Sequence, residues 1–485
     1  MRTRHFDLAA VGGLATVTLL SACAVGPDFR QPAAPVTDHY SAGEEPRATA
    51  AATGEAGAAQ HFVPGAVVPE RWWESFRCDA LNALVEEALA HSPTVLEARA
   101  RLEEAQADLT AQSRGTLYPA LDAQLGITRQ RVNPAAFGFP QIPASPPFTL
   151  YNAQVNVSYT LDAFGGERRM IEGARAQTEY VSYESEAAKL TLAANIVSAA
   201  IRQADLEAQV SYTERLLEAQ ARQVAISEQR YRAGGIALED LQNQHTQLEQ
   251  LRATLPTLRA QRQQVDHQLA VYTGNPPASA SVPRFKLEDL HLPEELPLTL
   301  PSDLVRRRPD VRASEALWHQ AGANVGVATA NLFPNLTISG YAGSDTTKIS
   351  DLVDSFNVWS IGAKLLQPIF HAGELRAKKR SAVAAYDVAA QAYEQTVLES
   401  LQQVADSLRT LEADALALQA RAKASRESAA SYAIASDRFA AGGISELSLI
   451  DAQRQDLQSE LDRSRAEAQR FTDTVALLHA VAGTT

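Results

Sequence analysis

Most of the chain carries apolar residues at helical spacing, but four stretches alternate instead with a period of two. In residues 150–162, Tyr151, Ala153, Val155, Val157, Tyr159 and Leu161 alternate with Asn152, Gln154, Asn156, Ser158, Thr160 and Asp162. That is the pattern of a strand with one apolar and one polar face. Before it, Leu121, Ala123, Leu125 and Ile127 alternate with Asp122, Gln124 and Thr128. Further on, Leu336 and Ile338 alternate with Thr337 and Ser339, and Trp359, Ile361, Ala363 and Leu365 with Ser360, Gly362 and Lys364. The pattern predicts two strand pairs, linked through proline-rich 133–148 and through 343–354, both read as exposed loops.

The rest is helical. Residues 374–441 contain neither Gly nor Pro, and 167–233 contain only Gly173, so each predicts a helix of about 100 Å. Such helices must pack lengthwise, and Leu192, Ile196, Ala199 and Ala200 supply one apolar stripe. Each ends at a Gly-Gly pair and returns in a second helix, 238–272 or 447–480, with Pro256 placed to kink the first. A shorter helix precedes each strand pair, 80–117 in one case and 309–332 in the other. The order is therefore written twice. Phe164-Gly165-Gly166-Glu167 has its counterpart in 370–374, and Arg230–Ile236 in Arg438–Ile444, at offsets of 207 and 208 residues. This divides the chain into a leader (1–22), an extended segment (23–79), a first repeat (80–275), a linker (276–308) and a second repeat (309–485).

Composition narrows the class. With 45% hydrophobic and 21% charged residues the chain folds. A net charge of −13 without a basic stripe argues against nucleic acid as a partner. Arg2, Arg4 and His5 and then the apolar run 8–20 describe a secretory signal, and Leu20-Ser21-Ala22-Cys23 at its end resembles a bacterial lipobox, which would make Cys23 the lipid-modified first residue of the mature chain. Ala24 stands where Asp would favour inner-membrane retention, so the outer membrane is expected. Cys78 then has no disulfide partner. No apolar run of about 18 residues follows the leader, so a membrane crossing must use strands.

Four strands cannot close a barrel, and an open edge in lipid leaves backbone groups unpaired. Two copies would give eight strands around a filled interior; three would give twelve, wide enough for water. The predicted fold is mainly α with a transmembrane β-barrel to which each chain gives four strands. With three copies the long helices would extend the wall away from the membrane as a helical tube.

Several segments resemble the TolC-like outer-membrane efflux proteins, in particular their NodT/OprM-type lipoprotein branch. They are CAVGPDFRQP, RWWESF from Arg71, YTGNPP from Tyr272, LPSDLVRRRPDVRASEA from Leu300, ANLFPNLTISG from Ala330, LLQPIF from Leu365 and LSLIDAQRQDL from Leu447. The resemblance implies a homotrimer with a shared twelve-stranded barrel, continued by a long periplasmic helical tunnel. It also implies service as exit duct for small toxic compounds, partnered by a periplasmic adaptor (membrane fusion) protein, an inner-membrane resistance-nodulation-division pump and outer-membrane lipid. A protein-secretion duct on the same fold, or a lipid-anchored coiled-coil tether without a pore, are the rival readings.

No catalytic, cofactor or metal-binding pattern occurs, and the ten His residues are scattered. By the resemblance, the gate falls after the second Gly-Gly turn, on Leu447 and Asp451. Their spacing of four puts them on one helix face, so threefold symmetry would give an apolar ring and a carboxylate ring. Arg438 matches the position that ties the helix ends together, while Phe439 stands where relatives often carry Tyr. Asn243 is the first-repeat counterpart of Asp451. The turns at Gly234, Gly235, Gly442 and Gly443 are expected to face the adaptor.

Overall fold

The structure is a computed structural model that describes residues 24–34, 37, 39–41, 46–353 and 356–483. Cys23 and the leader lie outside the described residues. The chain forms two compact units, one of residues 24–31, 102–181 and 314–393, the other of 32–101, 182–313 and 394–483.

The first unit holds a four-stranded antiparallel sheet of β2 (Ala120–Gln130), β3 (Phe148–Leu161), β5 (Asn335–Thr346) and β6 (Val358–Leu366), in that spatial order. Both predicted strand pairs form, and β3 pairs with β5 to join them. β5 runs past Gly343 to Thr346, where a loop was expected. Gly343 belongs to the strand because a Cβ there would lie 2.1 Å from the Ala153 carbonyl oxygen; close backbone approach, not a turn, requires it.

Two helices of 67 residues each, α3 (Gly166–Arg232) and α7 (Glu374–Ala440), contribute residues to both units. Their return helices are α4 (Leu238–Tyr272), uninterrupted at Pro256, and α8 (Glu446–Val481). The single helix expected over 80–117 is two, α1 (Asp79–His91) and α2 (Pro93–Leu117). Ser92 between them is extended, as the residue before proline must be to avoid the ring. α5 (Pro301–Arg307) and α6 (Pro309–Ala330) precede the second strand pair.

The second unit also pairs two strands of four residues in parallel, β1 (His61–Pro64) and β4 (Glu295–Leu298). Phe62, Leu296 and Leu298 from them enter a large apolar core with Trp72, Phe76, Ile196, Leu411, Phe471 and Leu478. Trp72 and Phe76 of the RWWESF segment are thus packing residues; Phe76 lies 6.3 Å from the Phe471 ring. Among the described residues, no helix is long and apolar enough to cross a membrane.

Candidate functional site

The sheet register turns four alternating sequences into one mainly apolar and one mainly polar face. Leu121 pairs with Val157, Val157 with Gly340, and Gly340 with Ile361; the next row reads Ala123, Val155, Ala342, Trp359. The apolar face therefore runs unbroken across all four strands, and most of it is exposed within one chain: Leu125, Ile127, Trp359 and Ile361 are each at least 70% exposed. The opposite face carries Asp122, Gln124, Gln154, Asn156, Ser360, Lys364 and Asp345. These polar side chains bond across strands, Gln154 Nε2 donating to Asp345 Oδ1 at 3.3 Å and Asn156 Nδ2 to Gln124 Oε1 at 3.4 Å. Eleven residues of β2 span about 25 Å of membrane when tilted near 45°. An apolar outer face and a polar inner face of this height suit a barrel wall around water.

Below the sheet, the segment after Cys23 is held by named bonds. The Val25 amide donates to the Phe164 carbonyl at 3.1 Å. Arg169, buried on α3, donates to the Val25 and Gly26 carbonyls and pairs with Asp28 and Glu172 at 2.7 Å each. Burial lowers the Arg169 pKa, but the two carboxylates outweigh it and the net shift is upward. Phe29 stacks on His319 at 4.4 Å, and His319 Nε2 lies 2.9 Å from Glu172. Ala24, the residue after Cys23, is thereby placed beside the junction of β3 with α3.

Each long helix ends in the same device. The Gly235 amide donates to the Arg230 carbonyl (2.8 Å) and the Gly234 amide to Tyr231 (2.9 Å); Gly443 donates to Arg438 (2.7 Å) and Gly442 to Phe439 (2.9 Å). These are Schellman closures. Gly234 and Gly442 have φ of +71° and +74°, and a Cβ on either would meet nothing within 4 Å. Glycine is needed there for the left-handed backbone, and the surface above it is open.

Leu447 and Asp451 lie in the first turns of α8, Leu447 half-buried and Asp451 exposed. Asp451 Oδ1 accepts from Gln223 Nε2 of α3 at 3.0 Å and lies 3.8 Å from Arg454. Arg454 donates in turn to Gln223 Oε1 at 2.9 Å. Gln223 is buried with both ends of its amide engaged. The sequence reading missed Gln223 and Arg454; a glutamine on a helix facing the acidic residue was the only available signal. Arg438 uses its carbonyl in the turn, while its exposed side chain has no partner among the described residues of one chain. Asn243 is exposed.

The RRRPDVR segment acts as a lock. Arg308 pairs with Asp310 through Nε (2.9 Å) and Nη2 (2.6 Å). It also donates to the Ala480 carbonyl in the last turn of α8 (3.0 Å) and to Gln403 of α7 (2.8 Å). A guanidinium at a helix C-terminus complements both the free carbonyls and the helix dipole. Burial pushes the Asp310 pKa up, but the Arg308 bonds and charge prevail and hold it below the usual value.

A model of the outer membrane efflux proteins matches residues 84–275 and 300–483. The chain belongs to this family. OprJ of Pseudomonas aeruginosa is 29% identical over all of this chain and 97% of its own length. Nodulation protein T of Rhizobium leguminosarum is 26% identical over 96% of this chain and 91% of its own. The solved outer-membrane channel OprN superposes with a TM-score of 0.80 at 28% identity, covering 95% of this chain and 99% of its own. The Campylobacter jejuni channel CmeC shares the fold, with a TM-score of 0.82 at 20% identity. This efflux protein is therefore an outer-membrane channel, not an enzyme, and its strands are the membrane-crossing part of a mainly helical conduit.

Proposed function

We propose that three copies close a twelve-stranded barrel and form the exit duct of a tripartite efflux system. The observation that carries this is the sheet: its apolar face is continuous, and β2 and β6 each lack a second partner strand among the described residues of one chain. The strands alternate in direction, so β6 of one copy meets β2 of the next antiparallel and a closed all-antiparallel wall results. The two repeats, 80–275 and 309–485, each supply one hairpin and one pair of periplasmic helices.

Cys23 carries the lipid, and the bonds from Arg169 hold the following residues where an acyl chain reaches the inner leaflet. The open turns at Gly234, Gly235, Gly442 and Gly443 receive the adaptor protein, which links the duct to an inner-membrane pump. Relatives are named for export of antibiotics, toluene and pyoverdine; small toxic compounds are accordingly the cargo class. Leu447 and Asp451 form the constriction, with Arg438 securing the helix ends between copies.

Native mass measurement in detergent should give three chains, and a monomer would overturn the reading. In planar bilayers Leu447→Ala should raise single-channel conductance by opening the apolar ring. Asp451→Asn removes charge while keeping an acceptor for Gln223, and should lower cation-over-anion selectivity. Intact trimers with wild-type conductance and selectivity in both variants would place the constriction elsewhere.

A further inference from the structure

The two loops at the end of the sheet remote from the helices differ in charge. Residues 123–161, covering most of β2, its loop and β3, contain Arg129 and Arg131 and no acidic residue. Residues 336–363, covering most of β5, its loop and β6, contain Asp345, Asp351 and Asp354 against Lys348. Over these ranges the balance is +2 against −2; Asp122 and Lys364, at the opposite ends of the strands, bring the full hairpins to +1 and −1.

Both loops also expose apolar side chains from ordered frames. In the first, the Ser145 amide donates to the Val132 carbonyl (3.1 Å) and Arg131 Nε to the Ser145 carbonyl (3.2 Å). Asn133 Oδ1 caps the short 3-10 turn Pro134–Phe137. Phe137 and Phe139 project from this frame, 71% and 57% exposed. In the second, Ile349 and Val353 are 65% and 86% exposed beside the 3-10 turn Ile349–Asp351. The neighbouring loop of the same chain leaves these side chains uncovered.

We propose that the loop 131–147 of one copy docks on the 349–353 stretch of the next, forming an apolar, charge-matched seam at the outer mouth. Arg129 lies near the end of edge strand β2, and Asp351 lies in the loop leading into edge strand β6. Joining β2 to a neighbour's β6 brings these opposite charges to the same end of the junction, one on each copy. Lipid acyl chains would cover the phenylalanines but would give no reason for the opposed charges. The seam rests on the three-copy reading and adds to it a contact that pins the register between copies.

Disulfide trapping tests this on the full chain in outer-membrane vesicles. Phe139→Cys combined with Val353→Cys should give covalent trimers on oxidation, and neither single variant should; Cys78 is buried and stays in place. Adding Arg129→Glu, at an exposed residue of the sheet edge, should reduce trapping, and Asp351→Arg should restore it. A bond confined to one chain would overturn the seam. So would unlinked cysteines that react with a lipid-soluble maleimide but not an impermeant one, since lipid would then be the occupant. Native mass measurement of the same variant separates the two levels. Three chains without linkage overturn the seam alone; one chain overturns the trimer as well.

Discussion

Asp414 on α7 and Asp473 on α8 face each other beside the buried Arg470. Burial and then the neighbouring Asp473 push the Asp414 pKa up to about 7, with Arg470 opposing them. Asp414 Oδ2 is buried and has no hydrogen-bond partner among the described residues, so full ionisation would leave a charge unsatisfied and the pair keeps a shared proton. The folded chain holds this proton more tightly than the unfolded one, so stability is greatest below the ordinary carboxyl pKa and falls as pH rises towards 7. Between pH 5 and pH 7, two units correspond to about 3 kcal/mol before screening. The pair is only partly buried, and solvent screening reduces this to about 1 kcal/mol. Asp414→Asn carries the neutral form at every pH. Its thermal midpoint relative to wild type should therefore be higher at pH 8 than at pH 5, measured in detergent at one scan rate. An equal difference at both pH values would refute the shared proton.

Two further outcomes follow from named contacts. Arg308→Lys keeps a charge but loses the two-pronged Asp310 pair and the bonds to Ala480 and Gln403; a loss of about 3 kcal/mol is expected, and wild-type thermal unfolding would show that the lock is dispensable. Cys23→Ser should abolish N-terminal acylation by mass spectrometry while the barrel still inserts through its apolar belt; an acyl group persisting on that variant would refute Cys23 as the lipid site.

The readable parts of this fold are those whose signal is repeated. Four alternating segments and two stretches of nearly 70 residues with no proline and a single glycine between them locate the strands and the long helices, because each local choice repeats the same instruction. Shorter elements escape. β1 and β4 have four residues each, and Pro64 and Pro297 within them read as strand breakers; they form because a parallel edge pair tolerates proline and Phe62 and Leu296 have a core to enter. The Ser92-Pro93 step, which separates α1 from α2, was written in the sequence inside the range expected as one helix. Gln223, Arg454 and the roles of Arg169 and Arg308 depend on residues more than 70 positions away, which no local pattern encodes.

The second unit also explains how one protein can be firm in one place and adjustable in another. Its large core joins Trp72, Ile196, Leu411 and Phe471, and disturbing such packing costs several kcal/mol per side chain. Around the helix turns, Leu241, Leu248 and Ile450 are buried, but much of the contact is polar: Gln220 with Gln244, Gln223 with Asp451 and Arg454, and Arg222 with Gln453. Hydrogen bonds of this kind contribute about 1 kcal/mol each and can be exchanged for water or for a partner's groups. A segment stitched in this way opens at lower free energy than the core it belongs to. The proposed constriction at Leu447 and Asp451 lies within that stitching, so a partner docking at the glycine turns, as proposed, would move it while the apolar core stays closed.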